Sequence, residues 1–132
     1  MTKDEKRLLD LELITGLLRV ASNYVELVPA NKFWLSEPRK PGRLFSPCER
    51  VQDAFECLDA LDSICKERSL TLEFSLNNIK SALGAYHMLI KIIPNRDEDS
   101  ALVVAGDAEE RAEAIALACR EAYRAIRKES DK

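Results

Sequence analysis

The sequence is short of the residues that punctuate a backbone and of those that carry chemistry. Among 132 residues there are four glycines and one histidine. Gly16, Gly42, Gly84 and Gly106 stand far apart, which leaves no glycine-rich loop to cradle a phosphate. With His87 alone, every Ser/His/Asp or Cys/His scheme depends on one side chain, and no obvious carboxylate partner accompanies it. Cys48, Cys57, Cys65 and Cys119 form no Cys-x-x-Cys pair, the spacing that a zinc or dithiol site uses. They read as small, reduced, partly buried side chains, and neither a metal nor another cofactor is expected.

Long apolar runs are absent too. No stretch approaches the ~20 residues of a membrane span. Residues Met1–Arg7 mix charges with no apolar segment behind them, so no secretory signal is expected and a cytoplasmic location follows. The net charge of -3 disfavours whole-surface attraction to nucleic acid or to an anionic membrane.

What is present favours helices. Alanine, leucine, glutamate, arginine and lysine dominate, and these are the good helix formers. Leu11, Ile14, Leu18, Ala21, Val25 and Val28 follow steps of three and four, which predicts a helix over 4–28 that Pro29 ends. Ser46-Pro47-Cys48-Glu49 has the form of a capping box with proline at the first helical position, opening a second helix over 47–68. Its seam is Val51, Ala54, Leu58, Leu61 and Cys65, flanked by Phe55 and Ile64.

Residues 70–93 carry two patterns. Leu70, Leu72, Phe74 and Leu76 alternate as a half-buried strand would. Leu72, Leu76, Ile79, Leu83, Tyr86, Ile90 and Ile93 keep a four-three spacing over a longer span, which selects a third helix ending at Pro94. A fourth is expected over 100–129 around an alanine-rich seam, broken near Gly106, with a strand at 101–105 as the rival. The fold class expected is all-α: an antiparallel four-helix bundle in one domain, with a long proline-rich loop between helices 1 and 2.

That loop holds the candidate binding residues. Over 29–50 there are five cations, Lys32, Arg39, Lys40, Arg43 and Arg50, against two anions, Glu37 and Glu49. Trp34, Phe33 and Phe45 lie among them. Arginine forks onto phosphate or carboxylate, and aromatic rings stack on bases or anchor a protein. The bland alternative is that the rings plug the bundle while the cations stay solvated. Helix 2 carries Asp53, Glu56, Asp59 and Asp62. With Glu110 and Glu113, its carboxylates could hold magnesium only if aimed at one point.

The functional expectation is a non-enzymatic interaction protein that binds a protein partner or itself as a homodimer. Binding of RNA or DNA through Lys32, Trp34, Arg39, Lys40, Arg43 and Arg50 is the first alternative. A magnesium-dependent all-α nucleotide hydrolase is the second. No catalytic residue is assigned.

Overall fold

The first helix stops well short of Pro29. In the computed structural model, which describes residues 2–26, 31–81, 84–94 and 97–130, α1 spans Lys3–Leu13 and Thr2 caps it by accepting from the Glu5 amide at 3.2 Å. A π-helical turn, Ile14–Leu18, closes on Arg19 in the left-handed region at φ 55°. Gly16 sits in that turn because the Tyr123 ring occupies the space that a Cβ would need. The inward face also differs from the predicted seam. Leu9, Leu13, Ile14 and Leu17 are buried, whereas Leu8 and Leu11 face outward.

Beyond Arg19 the chain is extended. Strands β1 (Ala21–Glu26), β2 (Asn31–Ser36) and β3 (Arg43–Phe45) form an antiparallel meander in the order β1-β2-β3. Phe33 pairs with Tyr24 and Phe45, and Leu35 with Ser22 and Arg43. Phe33, Leu35 and Phe45 point into the core, while Trp34 points out, as a period of two requires. Half of the predicted loop is therefore strand, and Pro38, Pro41 and Gly42 lie in the connection between β2 and β3.

Helix α2 covers Val51–Glu67 and buries Ala54, Cys57, Leu58, Leu61, Ile64 and Cys65. It starts later than the capping-box reading places it. Arg50 is the N-cap and makes no side-chain cap bond. Ser46 instead donates its amide to Asp53 Oδ2 at 2.9 Å, so a first-turn carboxylate holds the incoming chain.

The predicted third helix is a hairpin. Strands β4 (Leu70–Ser81) and β5 (Gly84–Pro94) pair antiparallel, and β6 (Leu102–Ala108) adds to β5 to give the order β4-β5-β6. Leu72, Ile92 and Leu102 lie abreast on one face, as do Phe74, Ile90 and Val104, and Leu76, Met88 and Gly106. The alternation at 70–76 was the true signal, and the four-three spacing coincided with it. Leu83, central to the helix reading, lies outside the described residues, as do the side chains of Val25 and Ile79. Only the last two-thirds or so of the predicted fourth helix is helical: α3, Arg111–Ser130, follows β6 after a two-residue turn.

The all-α four-helix bundle is thus overturned. Among the described residues, three α-helices combine with two three-stranded antiparallel sheets, and the helices contact both sheets. One buried cluster joins residues of all three helices and both sheets. Helix α3 is at its centre, with Ala112, Ala114, Ile115, Ala116, Ala118, Cys119 and Ala122 all buried. Its small side chains admit a strand closely on one side while α1 and α2 pack against it on others. A Cβ at Gly106 of β6 would stand 2.4 Å from the Ala114 carbonyl oxygen and 2.6 Å from the Ala118 amide nitrogen. No helix among the described residues is long and apolar enough to cross a membrane.

Candidate functional site

The six residues expected to bind do not form one cationic surface. Lys32 lies in β2, and its side chain is outside the described set. Arg39 is exposed in the turn after Pro38, with a left-handed backbone at φ 64°. Lys40 pairs with Glu37 at 3.3 Å. Arg43 forks onto Glu56 of α2, with Nη1 to Oε1 at 2.7 Å, and stacks 5.2 Å over the Phe45 ring. Arg50 approaches Asp53 at 3.7 Å. Three of the five cations therefore meet carboxylates of this chain, and Arg43 ties the first sheet to α2. Burial separates the aromatic residues. Phe33 and Phe45 belong to the core, whereas Trp34 is 41% exposed and lies on Gly42, where a Cβ would come within 2.2 Å of the ring.

The carboxylates of α2 do not converge either. Asp53 binds the Ser46 amide, Glu56 binds Arg43, and Asp62 pairs with Lys66 at 3.2 Å. Glu113 is buried near Lys6 at 4.0 Å, while Glu110 is exposed at the start of α3. Among the described residues no group of three or more His, Cys, Asp or Glu side chains is placed to hold a metal ion.

Two polar arrangements escaped sequence reasoning. Asp10 of α1 is buried and accepts from Ser46 Oγ at 3.2 Å and from the Cys48 amide at 3.1 Å. Burial pushes its pKa up to about 6, although those donors pull the other way. Only the π-helical turn and the path out of β3 bring these residues together. His87 has a carboxylate partner after all, with Nδ1 lying 2.5 Å from Asp107 Oδ1 across the β5–β6 register. Reading both segments as helices concealed that pairing. The dyad lies on the face of the second sheet turned from the helices, with Asn77 opposite His87 on β4. All four cysteines are buried, and burial raises every thiol pKa, Cys65 to about 11 and Cys119 to about 12. None is poised as a nucleophilic thiolate.

Exposed apolar side chains lie on α1 and on both sheets, and three of them belong to the second sheet. Six large hydrophobic residues are exposed among those described: Leu8, Leu11, Trp34, Phe74, Leu102 and Val103. Three of them, Phe74 at 51%, Leu102 at 39% and Val103 at 56%, lie on the edge strands β4 and β6. Phe74 leans on the half-buried Phe55 of α2, with ring centroids 6.4 Å apart. Leu102 also borders a cavity of about 490 Å³ between the sheet end and α3, walled by Leu70, Ile92 and Ile126 with Arg68 at its margin. No family model matches this chain, and no curated protein matches it.

Proposed function

We propose that the chain is a non-enzymatic interaction protein that binds a protein partner or a second copy of itself through its second sheet. The observation that carries this reading is the concentration of exposed Phe74, Leu102 and Val103 on the two edge strands of one sheet. An edge strand presents unpaired backbone donors and acceptors, and large apolar side chains beside it make strand addition favourable. Proteins usually blunt such edges with lysine, proline or a bulge. β6 contains no lysine, arginine or proline, whereas β4 carries Lys80 and a register shift between Asn78 and Ser81 beyond Phe74.

The chemistry of the remaining sites agrees with this reading. The thiols are buried, and the carboxylates of α2 are mostly engaged within the chain. Nucleic-acid binding through residues 32–50 has less behind it, because Lys40, Arg43 and Arg50 already face carboxylates.

A photo-crosslinking side chain placed at Phe74 and, separately, at Val103 tests the proposal in the cell that makes the protein. A covalent product with a defined protein, or with the chain itself, is expected at one of these positions and not at exposed Glu109. Irradiation yielding no protein adduct at either position would refute it.

A further inference from the structure

The second sheet and α3 part like a wedge, and we infer that the cavity at the open end binds a small, mainly apolar carboxylate. At the closed end Gly106 of β6 lies so near α3 that a Cβ there would stand 2.4 Å from the Ala114 carbonyl oxygen. The helix runs back along β6 and has drawn away by Ala125 and Ile126, leaving about 490 Å³ between these residues and the end of the sheet. Leu102 records the gap. It shares a face with Ile92, yet it is 39% exposed where Ile92 is 4%. An inward-facing leucine open to this degree marks apolar surface that no described residue covers. The volume falls within the ~300–1,000 Å³ of small-molecule sites.

The lining selects the class of ligand. Leu70, Ile92 and Pro94 from the sheet and Ile126 from α3 make apolar walls, and Ala101 and Ala125 leave the space between them unfilled. Two polar side chains reach the margin, Arg68 and Ser100, and they differ in character. Ser100 Oγ donates to Asp97 Oδ2 at 2.8 Å, which puts a carboxylate on that side. Arg68, just past the end of α2, donates from Nη1 to the Ile126 carbonyl at 3.4 Å, which holds its guanidinium on the α3 side. A guanidinium carries five N–H groups, and a carboxylate takes two of them in parallel. Of the described residues lining the cavity, Arg68 alone is charged. An alkyl body along Leu70, Ile92 and Ile126 with its carboxylate at Arg68 meets both characters, whereas a cation would meet repulsion there. The site shares Leu102 with the apolar edge of the sheet, but Phe74 and Val103 lie outside it.

Octanoate, kept below the concentration at which it forms micelles, is the probe, with octanol and octylamine as neutral and cationic counterparts of equal length. Calorimetric titration of the full chain should show one saturable octanoate site with a negative heat-capacity change, the mark of apolar burial. Its affinity should exceed that of octanol by about tenfold or more, through the charged hydrogen bonds to Arg68. Octylamine should bind more weakly than octanol. Ala125→Leu and Ala101→Leu fill the space from two walls. Each should weaken octanoate by about tenfold or more while keeping the wild-type dichroism spectrum, and either one decides the location should the other misfold. Arg68→Gln should remove the advantage of octanoate over octanol and leave octanol binding unchanged. Equal weakening of both ligands would assign Arg68 to the fold and overturn its role as the partner of the carboxylate. Octanoate binding that withstands both alanine substitutions would place the ligand elsewhere, and a wild-type chain with no saturable octanoate site would overturn the inference outright. Crosslinking at Phe74 and Val103 is independent of each of these results.

Discussion

The two sheets have the same strand count and the same antiparallel order, yet they relate to the rest of the chain differently. In the first, β1–β3, the inward row Phe33, Leu35 and Phe45 is buried, and Lys40, Arg43 and Arg50 around it face carboxylates of the chain. Arg43 reaches Glu56, Lys40 reaches Glu37, and Trp34 covers Gly42. In the second, β4–β6, the central strand is well covered by α3, while Phe74, Leu102 and Val103 stand exposed on the outer strands. A charged, aromatic segment can therefore be structural, and a plain apolar one can be the accessible surface. Charge read along the chain does not report which ions are already paired within it.

The sharpest way to break this comparison is to truncate one phenylalanine in each sheet. Phe45→Ala should cost about 3–5 kcal/mol, the usual range for a buried aromatic residue. Phe74→Ala should cost the monomer under about 1 kcal/mol, because half of its side chain already meets water. Urea melts of the two variants at protein concentrations where the chain is monomeric measure the difference. Equal losses would mean that Phe74 is as structural as Phe45.

The next effect tests the polar clip at the exit from the first sheet. Asp10 has a pKa of about 6 in the fold against an ordinary value of 3.8. The folded state thus holds this proton more tightly than the unfolded chain does. Its contribution improves as pH falls from about 6 to about 4, and the cost of burying the ionised form is fully present above pH 6. The shift corresponds to roughly 3 kcal/mol. Asp10→Asn cannot titrate and should lose that component of the stability–pH curve. Wild type and variant changing in parallel between pH 7 and pH 4 would show that Asp10 carries no such burden.

The smallest expected effect concerns the pair that anchors the first sheet to α2. Arg43→Gln removes a half-exposed, bidentate contact to Glu56 and should cost about 1 kcal/mol or less. If Arg43 served an anionic ligand instead, the variant would lose affinity for RNA or DNA with little change in its melt. Fluorescence anisotropy with a short single strand at low salt, read beside the melting curve, separates the outcomes.

Several elements were legible from local pattern. Helix α2 lies within its expected limits because a single 3.6-residue stripe, from Ala54 through Leu58 and Leu61 to Cys65, ran without a competing period. The apolar stripe of α3 likewise marked a helix whose small residues touch something closely. The segment 70–93 went the other way because leucine and isoleucine satisfied two periods at once, and the longer one was preferred. Gly84 inside the expected helix and the Ile92-Ile93 pair both favour a strand. In the 29–46 segment, the consecutive apolar residues Phe33, Trp34 and Leu35 show no polar alternation that would mark a half-buried strand. The candidate site was less legible than the fold, since it consists of strand edges, and an edge exists only once the sheet order is set.

By itself, the sequence determined that this chain would bury a substantial apolar core, where α2 would lie, and that its cysteines would not form a Cys-x-x-Cys site. Those properties depend on composition and short-range spacing. Only the tertiary structure decided that 70–81 and 84–94 would be strands, because a β-strand draws its hydrogen bonds from a neighbouring strand distant in sequence. It also decided that His87 would meet Asp107, that Asp10 would lie under Ser46 and Cys48, and that Arg43 would be held by Glu56. Each of those pairings is a contact between segments, and its partner is named by the fold rather than by either segment alone.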